Sequence, residues 1–263
     1  MTPRERVGGV ARPAATLALL RGGEGGEMAV LLVRRHIQSD FNPNVFVFPG
    51  GSVAPSDREA EATPGLCLVP APRPGDPTAL GSGFRVAALR ECFEEAGVLL
   101  ARQGSDLLAR SPDEMDAVLA DRAAVAAGTL DLRTLAERDG LTLETGDDLI
   151  HWAHWITPEG FPKRFDTHFF LAQAPWGQEA AHDAVETTES LWITPREALE
   201  RFHEGALPLV LPTVHQLGAL AGLTSLAEAR QRFGRSIPAT VLPRLVGDGI
   251  VLPWEERDAV PDA

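Results

Sequence analysis

The sequence has little lysine, little cysteine and no long apolar run. Lys163 is the only lysine among 24 basic residues, which face 37 acidic ones for a formal net charge of −13. That balance argues against a nucleic-acid-binding surface, because a phosphate backbone needs clustered positive charge. It also means that an anionic substrate must meet a local reversal of the field. Two cysteines, Cys67 and Cys92, are too few for a disulfide framework and suit a reduced, cytoplasmic protein. No stretch approaches the roughly 18 continuous apolar residues of a membrane span, and residues 207–211 are short and broken by Pro208. The first residues lead into no signal-like apolar core, and Pro261-Asp-Ala263 is no peroxisomal tail. What remains is 44% apolar and 23% charged over 263 residues. That is ordinary globular composition, enough for one large domain or two small ones.

Two apolar runs, 14–20 and 28–33, flank a Gly-rich turn and predict a β-hairpin. Residues 44–48 read as a strand that stops at Pro49-Gly50-Gly51. Residues 52–83, heavy in Pro, Gly and Ala, read as a long loop. A helix is predicted from Arg85 to near Gly97, and others over 111–127, 132–138, 212–220 and 225–233. Strand patterns cover 152–156, 168–172 and 190–193. Thr194-Pro195 reads as the N-cap and first turn of a further helix. Strands and helices mix without a regular βαβ rhythm, which favours α+β or layered α/β over a doubly wound sheet.

The helix beginning at Arg85 carries the chemistry. On a helical wheel Val86, Leu89, Phe93 and Ala96 share an arc of about 80°, a buried stripe. Glu91, Glu94 and Glu95 share a separate arc of about 100°. Carboxylates at i, i+3 and i+4 repel one another and weaken an isolated helix, unless a cation sits between them. An all-oxygen donor set points to Mg²⁺ or Mn²⁺ rather than zinc. A solvated acidic face is the plainer reading of three glutamates alone.

Their neighbours reverse that weighting. Arg90-Glu91-x-x-Glu94-Glu95-x-Gly97-Val98, preceded by the Gly-Gly turn, resembles the Nudix hydrolase signature Gly-x5-Glu-x7-Arg-Glu-U-x-Glu-Glu-x-Gly-U, where U is aliphatic. Its five fixed residues from Arg to Gly would arise by chance in about one chain in 10⁴ of this length. The box is interrupted: Arg90 lies 39 residues after Gly51 where the signature has 14, so about 25 are inserted. The early Glu is replaced by Asp57 counted from Gly51, or by Ser82 counted back from Arg90, and the spacing does not choose. Residues 31–35, 45–51, 90–100, 155–158 and 163–171 resemble the Nudix branch that cleaves coenzyme A and acyl-CoA.

The resemblance implies an α/β/α sandwich around a mixed β-sheet with helical insertions. It divides the chain into a hydrolase domain over 12–200, with inserts at 52–83 and 104–150, and a C-terminal helical extension over 201–263 packed on the same domain. It implies hydrolysis of a diphosphate linkage in CoA or an acyl-CoA-like nucleoside diphosphate derivative, with Mg²⁺ or Mn²⁺ bound. Alternatives are a pyrophosphatase for ADP-ribose, NADH or a nucleotide sugar, and a non-catalytic nucleotide-sensing module. The partner is a small molecule, neither nucleic acid nor membrane, and a homodimer is one assembly to expect. Glu91, Glu94, Glu95 and the Gly50 carbonyl would hold metal, and Arg90 would orient the glutamates. A box glutamate, Glu186 or Glu189 would be the general base.

Arg34 and Arg35 end a strand and by alternation point opposite ways, so one of them is expected to grip phosphate. Lys163, Arg164 and His168 form a second basic patch, with Asp166 expected to pair with Arg164 or another nearby cation. Trp152 and Trp155 read as core. The insert is expected to lead away from the metal cluster.

Overall fold

The computed structural model describes residues 9–22, 27–39, 42–79, 81–109, 115–182, 186–247 and 249–255. The Gly-rich turn at 23–26 and the expected helix start at 111–114 lie outside the described residues. In chain order the elements are β1 (Arg12–Gly22), β2 (Met28–Arg35), β3 (Phe46–Val47), β4 (Gly50–Ser52), α1 (Pro55–Ala62), α2 (Phe84–Ala96), β5 (Ala101–Gln103) and β6 (Asp106–Leu107). Then come α3 (Met115–Ala126), α4 (Leu132–Asp139), β7 (Thr142–Leu143), β8 (Ile150–Ile156), β9 (Phe165–Gln173) and β10 (Thr187–Ile193). The chain continues through α5 (Pro195–His203), α6 (Leu211–Leu220), α7 (Leu226–Phe233), β11 (Thr240–Val241), β12 (Arg244–Val246) and β13 (Gly249–Val251).

The main sheet runs β10-β2-β1-β9-β8-β11, with β3 added to β2 and β4 to β1. β1 pairs parallel with β9 and β11 with β8, while the other pairings are antiparallel. Strand β1 shows why this sheet must be covered on both faces. Ala15, Leu17 and Leu19 belong to one apolar cluster with α2, α3 and α4. Ala18 and Leu20 point the other way, into a second cluster with α5, α6 and α7. The result is the expected α/β/α sandwich around a mixed sheet. Local signals hold where they are strong: Thr194 caps α5 by accepting from the Glu197 amide at 3.2 Å, with Pro195 in the first turn.

Two expectations change. Residues 52–83 are not loop throughout, because α1 occupies Pro55–Ala62 and packs on α2. Pro55 opens that helix, and the Asp57 carboxylate accepts from the Ala54 amide at 2.7 Å, a start signal visible in Ala54-Pro-Ser-Asp57. The residues beyond 200 are not wholly helical: β11 extends the main sheet and β12–β13 form a hairpin. Trp152 and Trp155 lie in the same buried cluster despite their odd spacing on a strand, because the ladder shifts between His151 and Ala153.

Candidate active site

Helix α2 is placed by its own apolar stripe. Val86, Leu89, Phe93 and Ala96 are all buried against the sheet, and Gly97, at φ 73°, ends the helix by donating to Phe93 O. The opposite arc then meets β4. A Cβ on Gly51 would lie 2.4 Å from Glu91 Oε1, and one on Gly50 would lie 2.6 Å from Ala15 O of β1. Neither position has room for a side chain, which is the physical reason for two glycines here. The Gly50 amide donates to Glu95 Oε2 at 3.0 Å, tying the turn to the carboxylates.

Arg90 holds the cluster together. Its Nε and Nη2 donate to the two oxygens of Asp57 at 2.9 and 3.0 Å, and Nη2 also donates to Ser52 O at 2.8 Å. Nη1 donates to Glu91 Oε1 at 2.9 Å and to both Glu94 oxygens at 3.1 Å. Despite its burial, these acids hold the Arg90 guanidinium firmly charged, Asp57 first among them. Of the two counts for the early Glu, the one from Gly51 lands on a residue that meets Arg90: Asp57, on α1.

One guanidinium does not neutralise this many acids. Burial, then the neighbouring Glu94, pushes Glu91 up to about 7. Burial and Glu91 push Glu95 well above the usual carboxylate range, and burial raises Glu94. Buried carboxylates converging from one helix face beside a glycine turn, with oxygen as the only donor type, fit a hard divalent cation.

The insert also builds the box helix. The Glu61 carboxylate of α1 accepts from the amides of Gly81, Gly83, Arg85 and Val86 at 2.8–3.0 Å, capping the start of α2. The insert thus begins inside the site, contrary to the expectation that it leads away. A glutamate in the middle of an apparent loop gives no hint of this in sequence.

A cavity of about 760 Å³ opens over the box. It is lined by Gly50, Gly51, Glu91, Glu95, Arg35, Glu186 and Lys163, and by an apolar wall that includes Trp155, Phe161, Phe165, Phe169, Leu211 and Ile250. The paired candidates separate on this geometry. Arg35 lines the cavity, whereas Arg34 pairs with Glu189 at 3.4 Å and lies over the Phe46 ring. Glu186 lines the cavity and raises the box glutamates by its charge, while Glu189 is absent from the lining.

Lys163 lines the cavity, but the Arg164 guanidinium donates to the carbonyls of Thr157, Pro158 and Gly9. Asp166 pairs with His154, not with Arg164, and His168 is buried on the far side of β9 from the cavity-lining Phe165, Thr167 and Phe169. The basic patch read from sequence is therefore split across the sheet by strand alternation. The apolar wall from α6, β13 and the loop after β8 carried no sequence signal.

A family profile described as the NUDT19 Nudix domain matches residues 71–220. The chain is 33% identical over 194 residues to "putative nudix hydrolase 7" of Caenorhabditis elegans, with 73% of this chain and 55% of that protein covered. It therefore spans about half the length of that relative. It is 30% identical over 293 residues to the acyl-coenzyme A diphosphatase NUDT19 of Homo sapiens, covering 94% of this chain and 77% of that protein. Among solved structures, a NUDIX hydrolase from Alicyclobacillus acidocaldarius superposes with a TM-score of 0.72 at 32% identity, covering 84% of this chain and 96% of that one. Box, sandwich and relatives agree, and the chain belongs to the Nudix hydrolases, in the NUDT19 branch.

Proposed function

We propose that this protein hydrolyses the diphosphate linkage of CoA or acyl-CoA. The observation that carries the reading is the cavity, which brings box carboxylates, two cationic side chains and a broad apolar wall to one space. A diphosphate, a further phosphate and an apolar tail are the three chemistries such a space accommodates, and CoA thioesters carry all three. The names of the chicken and human relatives, acyl-coenzyme A diphosphatases, support the same substrate.

In this reading Glu91, Glu94 and Glu95, with the Gly50 backbone, hold Mg²⁺ or Mn²⁺. Such ions lower the pKa of water and stabilise charge on phosphoryl oxygens, and they reverse the sign of an acidic pocket. Arg90 keeps the glutamates oriented, and Asp57 keeps Arg90 in place. Glu186 is the protein's general base, because it lines the cavity beside the box glutamates and Glu189 does not. Arg35 and Lys163 take the phosphates that the metals do not.

The apolar wall receives the pantetheine arm and its acyl group. Two buried thiols, Cys67 and Cys92, both pushed up by burial, support a reducing compartment such as the cytoplasm. No helix among the described residues is long and apolar enough to cross a membrane.

The test is a panel: purified protein with Mg²⁺ or Mn²⁺ against CoA, acyl-CoAs, dephospho-CoA, ADP-ribose, NADH and a nucleotide sugar. CoA or acyl-CoA should have the highest kcat/KM. A higher value for ADP-ribose would replace this reading with a general dinucleotide pyrophosphatase, and no turnover of any compound with tight binding of one would make it a sensing module.

A further inference from the structure

One row of the sheet ladder crosses the floor of the cavity. Ser52 of β4 pairs with Ala14 of β1, Ala14 with Thr167 of β9, Thr167 with Trp155 of β8, and Trp155 with Val241 of β11. Paired residues share a face, and the first four of these line the cavity. The row therefore leads from the Gly-Gly turn of the box to the far edge of the sheet. Four strand spacings separate its ends, about 19 Å.

Beyond β11 the chain turns back as the β12–β13 hairpin, anchored at one end by the pairing of Val241 with Trp155 and at the other by the buried Leu252. Leu245 and Ile250 stand directly opposite each other in the hairpin and so share a face. That face is turned to the cavity. Ile250 lines it together with Pro243, and a Cβ on Gly160, in the loop that carries the lining residues Phe161 and Pro162, would lie 3.4 Å from Leu245 Cδ2. Val246, next to Leu245, belongs to the other face by alternation. Trp254 stands edge-on to the lining Trp155, with ring centroids 6.3 Å apart. Leu245, Ile250 and Trp254 are 41–42% exposed, so apolar surface is left open to water where the row ends.

We propose, resting on the CoA reading above, that this hairpin selects the acyl chain of the substrate, with Leu245 and Ile250 setting the preferred chain length. Length decides the occupant. With its diphosphate at the box, the substrate lays its pantetheine arm along the row. That arm has about thirteen bonds from phosphorus to sulfur and spans about 15 Å when extended. It ends short of β11, and acyl carbons from about the third onward reach the hairpin. CoA and acetyl-CoA stop before it. A longer chain covers Leu245, Ile250 and Trp254, taking its own methylenes and theirs out of water together. Full burial corresponds to about fourfold in affinity per methylene, and a rim that stays half open to about twofold.

The test is kcat/KM of the full chain with Mg²⁺ or Mn²⁺ for CoA and for its acetyl, butyryl, hexanoyl and octanoyl thioesters. In the wild type octanoyl-CoA should exceed acetyl-CoA by roughly tenfold, with the rise beginning at butyryl-CoA. Leu245→Asn, at a half-exposed position, should lower the octanoyl-to-acetyl ratio by about fivefold. Val246→Asn, on the other face, should leave that ratio as in the wild type. A ratio is read because any general loss of activity cancels in it. A wild-type rate independent of chain length, a ratio unchanged by Leu245→Asn, or an equal loss in Val246→Asn would overturn the selector while leaving the CoA reading in place. No turnover of CoA or of any thioester would overturn both. Sedimentation of the same proteins covers the other occupant: if Leu245→Asn turns a dimer into monomers and the ratio does not move, the hairpin is a contact between two copies of this chain and the selector is refuted.

Discussion

The glutamate cluster and the histidine cluster both lie on the side of the sheet that α2 covers, one against Gly51 and the other against Phe84 at the start of the helix, and they handle buried polarity in opposite ways. Under Gly50-Gly51, three carboxylates are crowded beyond what Arg90 can neutralise, and burial lifts all three. His168 and His151 are pushed towards the neutral form instead, both by burial and His168 also by the charges of His154 and His151. The first arrangement calls for a hard cation with high charge density. The second is met within the protein, by hydrogen bonds of His154 to Asp166 and Thr240 and of His168 to His151. Burial thus creates demand for a cation where the group is anionic once its proton leaves, and not where it is neutral.

The sharpest way to break the comparison is to remove a box carboxylate. Glu94→Gln and Glu95→Gln should each lower turnover of CoA with Mg²⁺ by at least about 10²-fold, since metal clamping contributes several kcal/mol. Metal-free stability should hold or rise as repulsion is relieved. Turnover near wild type in both variants would sink the assignment of the box as the metal site. Asp57→Ala comes next. It strips a buried bidentate partner from Arg90, and breaking a buried pair costs about 3 kcal/mol. Urea unfolding should show that loss, with activity falling as the glutamates lose their clamp; an unchanged midpoint would mean that Arg90 is held well enough by Glu91 and Glu94.

The cations are compared within pairs. Arg35→Ala and Lys163→Ala should each reduce kcat/KM for CoA by about ten- to a hundredfold, the equivalent of roughly 1.5–3 kcal/mol for a charge-assisted contact. Arg34→Ala and Arg164→Ala should change it by only a few fold, since one is paired with Glu189 and the other with carbonyls. Dephospho-CoA run alongside identifies which of the two cavity cations grips the 3′-phosphate, and equal losses across all four variants would remove the distinction.

The smallest expected effect is the pH dependence of stability without metal. Glu91, raised from the ordinary range to about 7 by burial and Glu94, binds more protons folded than unfolded between roughly pH 4.5 and 7. Stability should therefore fall as pH rises through that window, and Mg²⁺ should flatten the fall by favouring the ionised form. Thermal melts at pH 5 and pH 8, with EDTA or with Mg²⁺, measure it. A metal-free Tm that rises over this range has the wrong sign for the buried glutamates.

The glutamate cluster was legible because its members share one helix. A wheel places Glu91, Glu94 and Glu95 together without knowledge of anything else in the chain, and the Arg90 and Gly97 spacings identify the box. Caps such as Thr194 and Ser225 are legible for the same reason, since each acts within three residues. Asp57 was half legible: counting from Gly51 pointed to it, but only the packing of α1 on α2 chose it over Ser82. Glu61, the histidine cluster and the apolar cavity wall were not legible, because each depends on partners from other elements: 20–25 residues away for Glu61, and across a strand pairing for His154 and Asp166. Trp152 and Trp155 lie in the same cluster only because of a ladder irregularity that sequence periodicity does not reveal.

By itself the sequence determined the amphipathic box helix, the crowding of its acids, the glycines beneath them and the excess of negative charge that an anionic substrate must overcome. These are consequences of spacing along one element and of composition. Tertiary structure alone decided which of Arg34 and Arg35 and which of Lys163 and Arg164 reaches the cavity, and that Glu186 rather than Glu189 does. Adjacent residues on a strand point to opposite faces, and which face carries the cavity is set by what packs on each. It also decided that Asp166 and His168 leave their neighbours Phe165 and Phe169 to meet His154 across a strand pairing, since that meeting depends on register between β8 and β9 and not on distance along the chain.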